Sequence, residues 1–336
     1  MRQNILLQRP PARLQPSRRR RLDPAVRATD NLMVRLRPGH LKTTRVPSMH
    51  YVLTPSTAHL RGALATRNRA ASLCEPLFFA DGERGYRLTE PVKDQDVTVV
   101  ASVLPDPASL FDILALCALL RENGSRDPEL VVPYLGYARQ DRALQTGEGS
   151  IGLTVAGLLR DLKPATLRVL DVHSPLVLAA LGSAVSEASA IPLFADRLRR
   201  GDAVEVVVAP DAGARRRAEA LAAQLVPRPA LASVDKVRPR PNVAVARLLR
   251  GDVQGKRVVI VDDMIDTGGT ICQAVQLVME RGARYVSVAA THGIFSGPAL
   301  ERLAQLPIED ILVTNSLPQP ERANVRVLDV TPMLIP

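Results

Sequence analysis

Several residue classes are scarce in this 336-residue chain, and each shortage excludes a class of protein. Aromatic residues make up only 3% of the chain and tryptophan is absent, so its cores must be built from aliphatic side chains. The three cysteines, Cys74, Cys117 and Cys272, are too few and too far apart for a disulfide framework or a metal cluster, and we expect them to be buried. No run of about 18 consecutive apolar residues occurs, which excludes a membrane-spanning helix.

The net positive charge is confined to the N-terminus. The formal net charge is +10, and residues 1–48 hold eleven arginines and one lysine against two aspartates. The rest of the chain has 32 basic and 32 acidic side chains, so it offers no signal of a nucleic-acid-binding surface. Residues 1–48 are rich in Pro and Arg, which predicts disorder. Three interpretations stay open: contact of Arg18–Arg21 with an acidic partner, a transit peptide, or a functional chain that starts near Met49.

From Met49 onward, short β-branched runs alternate with longer helical ones. This order is typical of α/β folds whose parallel sheets are covered by helices on both faces. Besides a first strand-like run at Tyr51–Leu53, the predicted strands are Val97–Ser102, Leu130–Tyr134, Leu167–Val172, Val204–Ala209, Arg257–Val261, Val286–Ala290 and Ile311–Thr314. The predicted helices are Leu110–Glu122, Ile151–Leu162, Leu193–Arg199, Arg215–Leu225, Thr270–Glu280 and Pro298–Gln305.

Polar side chains follow five of these strands. In open α/β sheets, ligands bind beyond the carboxyl ends of the strands, where such side chains converge. The residues are Tyr134–Arg142, Asp171 with His173, Asp211, Asp262 with Asp263, and Thr291 with His292. Acids, histidines and arginines at one sheet edge are typical of a site for a polyanion and a metal ion.

The segment Val258–Thr270 carries the most specific chemistry. An apolar strand leads to two adjacent carboxylates, Asp262 and Asp263, and a Gly-rich loop, Thr267–Thr270, then enters a helix. The loop offers backbone N–H groups and hydroxyls at a helix N-terminus, which is a binding site for phosphate. Carboxylates do not bind phosphate, so the two aspartates must accept hydrogen bonds from another part of the ligand, such as vicinal sugar hydroxyls. Together these features predict a ribose phosphate.

This segment resembles the phosphoribosyl-diphosphate (PRPP) binding motif shared by type I phosphoribosyltransferases and ribose-phosphate diphosphokinases. Further segments resemble the diphosphokinases, also called PRPP synthetases, and occur in the order of that family. They are Phe79–Glu83 (FADGE), Pro133–Arg142 (PYLGYARQDR), Asp171–His173 (DVH), Ala209–Gly213 (APDAG), Asp235–Asn242 (DKVRPRPN) and Thr291–Ala299 (THGIFSGPA). The sequence departs from the usual pattern at Ala214, where the family has a second Gly. The loop after Arg142 contains Gly-Glu and resembles that of divergent members.

The resemblance implies two tandem phosphoribosyltransferase-like domains, each a mostly parallel sheet flanked by helices. We expect an ATP-side domain over residues 49–190 and a domain with the ribose 5-phosphate loop over residues 191–317. Residues 318–336 are expected to pack back on the first domain. The implied reaction transfers the β,γ-diphosphate of Mg-ATP to the C1 hydroxyl of ribose 5-phosphate, which gives PRPP and AMP.

The family's roles carry over to individual residues. Lys236 and Arg238 would neutralise the transferring group from a Pro-rich loop. His173 and Asp211 would hold Mg²⁺, with Asp171 supporting the imidazole. ATP binding is implied for Phe79, Asp81, Glu83, Arg139, Gln140 and Asp141. Ribose 5-phosphate binding is implied for Asp262, Asp263, Asp266, Thr267, Gly268, Gly269 and Thr270.

The resemblance also implies a homo-oligomer, because in this family the Phe-x-Asp-x-Glu loop reaches into a neighbouring subunit's site. We expect an assembly built from dimers, either a dimer or a hexamer, in the cytoplasm. Two alternatives stay open at this point. One is a non-catalytic PRPP-synthetase-like regulatory subunit, which would not need Lys236 and Arg238. The other is a type I phosphoribosyltransferase, which would need only about half of the chain.

Overall fold

The computed structural model describes residues 50–66, 74–237 and 246–335. The predictions for residues 1–48 and for Arg238 lie outside these ranges. Within them the chain forms two large sheets with helices on their faces, which confirms the predicted α/β fold. None of the described helices is long and apolar enough to span a membrane. The three cysteines are buried and free, as expected.

The first sheet has five parallel strands in the order β1-β4-β5-β6-β7. The strands are β1 (His50–Leu53), β4 (Val97–Val100), β5 (Glu129–Val132), β6 (Leu167–Leu170) and β7 (Val185–Ala188). The helices of this half are a 3₁₀ turn (Pro55–Leu60), α1 (Arg61–Ala65), α2 (Pro107–Glu122), α3 (Ile151–Asp161) and α4 (Pro175–Ala180). All four residues of β4 are buried, because helices cover both faces of the sheet. Asp106 is the N-cap residue of α2, and its side-chain carboxylate accepts a hydrogen bond from the Ala108 N–H at 3.0 Å.

The second sheet has seven strands in the order β10-β9-β8-β11-β12-β13-β14, and only the β9–β10 pair is antiparallel. The strands are β8 (Val206–Ala209), β9 (Ala230–Val237), β10 (Ala246–Arg250), β11 (Arg257–Ile265), β12 (Tyr285–Gly293), β13 (Ile308–Thr314) and β14 (Val325–Leu328). The helices are α5 (Ile191–Arg199), α6 (Arg215–Gln224), α7 (Gly269–Glu280), α8 (Ala299–Ala304) and α9 (Thr331–Leu334).

A small antiparallel hairpin, β2 (Cys74–Phe78) with β3 (Arg84–Leu88), stands apart from both sheets. It is fixed to the first half by Tyr86 and Leu88, which pack against the core under α2. The guanidinium of Arg84 also lies 3.6 Å from the buried carboxylate of Asp112 on α2. The strand pattern did not predict this hairpin, although an Asp-Gly pair between apolar runs is a known hairpin signal.

The C-terminal segment contacts both halves. Residues 325–328 add β14 to the edge of the second sheet. Beyond it, Val330, Leu334 and Ile335 are buried together with Tyr51 and Leu60 of the first half. The Arg168 guanidinium donates to the Leu334 carbonyl at 2.6 Å. The segment therefore ties the two sheets together.

Candidate active site

Strand β11, which leads into the Gly-rich loop, ends later than the sequence predicts: it continues beyond Val261 through both aspartates to Ile265. The chain then turns through Asp266–Gly268, and α7 begins at Gly269. Gly268 has a φ of +76°, a left-handed conformation that favours glycine. No described side chain caps α7, so the N–H groups of its first turn are available to a bound anion.

A cavity of about 400 Å³ opens at the carboxyl ends of the central strands, next to this helix. It brings together residues that lie far apart in the sequence. Both sheets contribute: the lining includes Arg139 and His173 from the first half, and Asp211, Arg217, Asp262, Asp263, Asp266 and Thr267–Thr270 from the second. The predicted metal-binding residues and the predicted ribose 5-phosphate loop therefore share one cavity.

A short hydrogen bond joins the two halves inside the cavity. Nδ1 of His173 lies 2.6 Å from Oδ2 of Asp263, and the side chain of Asp263 is almost fully buried. Burial alone would raise the pKa of Asp263, but the hydrogen bond from His173 and the charge of Arg217 hold it well below its ordinary value. Asp263 is therefore an ionised acceptor, so Nδ1 of His173 donates to it.

Asp262 behaves in the opposite way. Burial raises the pKa of Asp262 to about 8, with further contributions to this shift from the charges of Asp263 and Asp211. The Asp262 carboxylate also accepts the Asp263 N–H at 2.9 Å. Without a ligand, therefore, one carboxyl of this adjacent pair is ionised and the other is protonated near neutral pH.

Asp262→Asn is expected to remove a pH-dependent loss of stability from the ligand-free protein. Because the folded state favours protonated Asp262, while the unfolded side chain titrates near pH 4, the wild type loses stability as the pH rises towards about 8. The variant has no such proton to lose. Thermal unfolding of both proteins at a series of pH values measures the difference, which should widen from about pH 5 to 8. Parallel curves over that window would contradict the raised pKa.

The donor set of the cavity fits a divalent cation. Among the described residues, no group of three His, Cys, Asp or Glu side chains is arranged to hold a metal ion by itself. Magnesium, however, takes one or two carboxylates and completes its shell with water and substrate phosphates. Asp211 lies at the cavity, and its Oδ1 accepts the N–H groups of Gly213 and Ala214 at 2.9 and 3.3 Å. The negative charge of Asp211 favours the protonated form of Asp262, and a bound cation would offset this effect.

The structure adds Arg217 to the candidate site, which the sequence analysis missed. Its Nη2 lies 3.7 Å from Oδ2 of Asp263, and its side chain lines the cavity. The sequence did contain an indication of this role, because α6 begins with three consecutive arginines. Cations at a helix N-terminus oppose the helix dipole, so they need anionic partners there.

A second cavity, of about 430 Å³, lies beside the first and shares Arg139 and Met264 with it. Its lining also contains Gln140 and Tyr134. Arg139 donates to Oδ2 of Asp266 at 2.6 Å, a contact between the two halves. Burial would raise the pKa of Asp266, but hydrogen bonds from Ser296 and Arg139 lower it.

Asp141, also predicted to bind ATP, accepts a hydrogen bond from the hydroxyl of Ser174 at 2.8 Å. That hydroxyl is also the acceptor at the start of α4, where the N–H of Leu176 lies 3.2 Å away. Asp141 therefore fixes the loop after β5 to the start of α4. It lines neither of the two cavities.

The three predicted ATP-binding residues of the hairpin do not line these cavities within one chain. They lie in its turn, where Asp81 accepts the Glu83 N–H at 3.0 Å and Gly82 has a φ of +92°. Phe79 is 53% exposed and its ring lies over Gly85, where an added Cβ would come within 3.2 Å of it. Exposed aromatic rings on a turn of this kind suit contact with a second molecule.

Two predicted details need correction. Lys236 lies in strand β9, where it pairs with Arg247 on β10, and so precedes the predicted loop. Asp171 does not support the imidazole of His173, whose Nδ1 binds Asp263 instead. The Asp171 carboxylate accepts the Ala190 N–H and the Thr291 hydroxyl, at 2.8 and 2.6 Å.

Comparisons with known proteins point to one family. Residues 68–161 match the model of the N-terminal domain of ribose phosphate pyrophosphokinase, and residues 176–335 match the phosphoribosyl synthetase-associated domain. The ribose-phosphate pyrophosphokinase of Aquifex aeolicus is 36% identical over 261 residues, which cover 76% of this chain and 83% of that protein. The enzyme of Bacillus caldolyticus is 35% identical over 254 residues, or 75% and 80% of the two chains. The crystal structure of phosphoribosylpyrophosphate synthetase from Mycobacterium smegmatis superposes with a TM-score of 0.78 at 31% identity. It covers 85% of this chain and 96% of its own.

Proposed function

Because this chain belongs to the ribose-phosphate pyrophosphokinase family and is an enzyme of that class, we propose that it transfers the β,γ-diphosphate of ATP to ribose 5-phosphate. The products are PRPP and AMP. The observation that carries the proposal is the cavity in which an uncapped helix N-terminus, paired carboxylates and cations from both halves meet.

Ribose 5-phosphate occupies the side of the cavity next to α7. Its phosphate accepts hydrogen bonds from the free N–H groups of the first turn and from the hydroxyls of Thr267 and Thr270. The sugar hydroxyls donate to the carboxylates of Asp262 and Asp263, which lie on the same wall. One phosphate site beside acceptors for a diol matches this sugar phosphate.

ATP enters from the adjoining cavity. Arg139 lines both cavities, so its guanidinium can contact the phosphates while Gln140 contacts the base. Phe79, Asp81 and Glu83 reach the adenine of a second copy of the chain, since these three residues line neither of the two cavities of their own chain. A homo-oligomer is part of this proposal.

Magnesium bound at Asp211 and His173 would supply charge neutralisation for the triphosphate. The side chains of this protein position the substrates and stabilise the developing charge, because diphosphate transfer needs these two effects more than a covalent nucleophile. Arg217 lines the cavity, and Lys236 lies near the carboxyl end of strand β9. Arg238, which lies outside the described residues, follows two positions later in the sequence. These three cations meet the charge that develops on the transferred group.

Incubation of the protein with ribose 5-phosphate and Mg-ATP, followed by detection of AMP, tests the proposal. Formation of AMP only when ribose 5-phosphate is present supports it. A non-catalytic regulatory subunit would form no AMP, and a phosphoribosyltransferase would consume PRPP with a base instead. The family match over both halves favours the diphosphokinase over the phosphoribosyltransferase, and the assay distinguishes it from the regulatory subunit.

Phe79→Ala is expected to raise KM for ATP while KM for ribose 5-phosphate changes little. Loss of a stacking face for a base costs about 1–3 kcal/mol. Phe78→Ala is the matched control, since Phe78 is the neighbouring residue, is 69% exposed and points to the other face of the hairpin. Steady-state kinetics with each substrate varied in turn gives both constants. Equal effects of the two variants, or of one variant on both substrates, would contradict adenine binding at Phe79.

A further inference from the structure

A buried polar cluster joins the two sheets directly behind the active-site cavity. The hydroxyl of Thr291, near the end of β12, donates to Oδ2 of Asp171 just beyond the end of β6 at 2.6 Å. The N–H of Ala190 donates to the same oxygen at 2.8 Å. Thr291, Asp171 and Ala190 are all buried. A carboxylate in such a place needs its hydrogen-bond donors, because water is not there to replace them.

Neighbouring hydrogen bonds and the local backbone conformation hold both Thr291 and Asp171 in place. The Thr291 carbonyl accepts the Thr314 hydroxyl from β13 at 2.7 Å. The next residue, His292, is fully buried and hydrogen-bonds to Ser316 at 2.9 Å and to the backbone of Leu170 and Asp171. Asp171 itself has a φ of +37°, a conformation that a non-glycine residue keeps only where its surroundings hold it.

The cluster lies next to the His173–Asp263 hydrogen bond, which joins the two halves in the active-site cavity. Asp171 is two residues from His173, and Asp263 is held beside Thr291 by the β11–β12 pairing, in which Asp262 faces Ala290 and Met264 faces His292. The contacts Thr291–Asp171 and Asp263–His173 therefore run side by side from two adjacent strands, β12 and β11, to the one segment that follows β6.

We propose that Thr291 is a positioning residue of this enzyme: its hydrogen bond to Asp171 holds the segment after β6 so that His173 meets Asp263. The proposal rests on the proposed function, in which His173 and Asp263 contact the metal and the sugar. Thr291 itself lines neither cavity and touches no substrate. Displacement of reacting groups by a change outside their immediate contacts typically lowers the rate by about 10- to 100-fold.

Thr291→Val tests this role, because it keeps the shape of the side chain and removes only the hydroxyl. The matched control is Thr98→Val, since Thr98 is also buried in a strand and donates to Glu129 at 3.3 Å, away from the cavity. We expect Thr291→Val to lower kcat by about tenfold and Thr98→Val to leave it unchanged. Thr291→Ser, which keeps the hydroxyl, should restore kcat.

A second measurement does not depend on turnover. In the ligand-free full-length protein, NMR of the imidazole protons detects the His173–Asp263 hydrogen bond, and the signal is assigned by its loss in His173→Gln. Thr291→Val should shift or remove this signal, whereas Thr98→Val and Thr291→Ser should keep it. An unchanged signal, or an unchanged kcat, in Thr291→Val overturns the positioning role. If the wild type forms no AMP, the proposed function fails, and the NMR signal alone still decides whether Thr291 holds the pair.

Discussion

Lys236→Ala is expected to lower kcat by about 10²- to 10³-fold while both substrates still bind, the range seen when one preorganised donor to a transition state is removed. The reason is that the lysine charge meets charge that develops only as the diphosphate is transferred. The backbone supports this placement. Ser233 pairs with Ala209 in the parallel strands β8 and β9, so Lys236 lies at the same sheet edge as Asp211.

The control for this prediction is Lys256→Ala. Lys256 precedes β11 at the amino end of the sheet, opposite to the cavity, and is paired with Asp252 at 2.7 Å. Steady-state kinetics with calorimetric titration of ribose 5-phosphate distinguishes a loss of turnover from a loss of binding. Near-normal turnover in Lys236→Ala would contradict the proposed charge stabilisation. It would favour the non-catalytic regulatory subunit or the phosphoribosyltransferase instead.

The sequence predicted the class of fold and the order of the main elements because apolar runs and helical periodicity are local properties. It could not predict where β11 and β12 end. Aspartate is depleted in strands and histidine is not among the residues enriched there, yet pairing with a neighbour carries Asp262 and His292 into the ladder. Lys236 was placed in a loop for the same reason: the polar segment around it has no strand signal, and only pairing with β10 defines it.

The composition of the candidate site was largely predictable, whereas its contacts were not. His173, Asp211 and Asp262 were expected at one sheet edge, because the carboxyl ends of parallel strands in one sheet converge. Asp211 and Asp262 follow strands of the second sheet, whereas His173 follows a strand of the first and reaches the same cavity from there. The partner of each side chain depends on how the two sheets face one another. His173 therefore binds Asp263, 90 residues away, and not Asp171, which is two residues away. Arg217 was missed because its partner, Asp263, lies on another element, β11, and only the fold brings the two side chains together.

These contacts also distinguish the two aspartates, Asp262 and Asp263, that are proposed to bind the ribose hydroxyls. The sequence treats Asp262 and Asp263 as equivalent acceptors, but the structure gives them opposite protonation states near neutral pH. Only Asp263 is held ionised, by His173 and Arg217. An ionised acceptor gives the stronger hydrogen bond to a sugar hydroxyl. The larger contribution to ribose binding is therefore expected from Asp263.

Asp263→Asn is accordingly expected to weaken ribose 5-phosphate binding by about 1–3 kcal/mol, or roughly 5- to 150-fold, with a smaller effect on ATP. The substitution keeps the size of the side chain and removes the charge that pairs with Arg217 and accepts from His173. Thr270→Val should act on the same substrate, because it removes a hydroxyl at the proposed phosphate site. Calorimetric titration with ribose 5-phosphate measures both effects directly.

Asp310→Asn is the matched control for the loss of charge. Asp310 is likewise a carboxylate paired with two basic side chains, Arg197 and Arg326, but it is less buried than Asp263 and lies near the start of β13, away from the active-site cavity. It should lose some stability and keep its affinity for the sugar phosphate. If Asp263→Asn and Asp310→Asn bound ribose 5-phosphate equally well, Asp263 would serve to hold His173 and Arg217 in place, and the sugar would have to be bound by other residues.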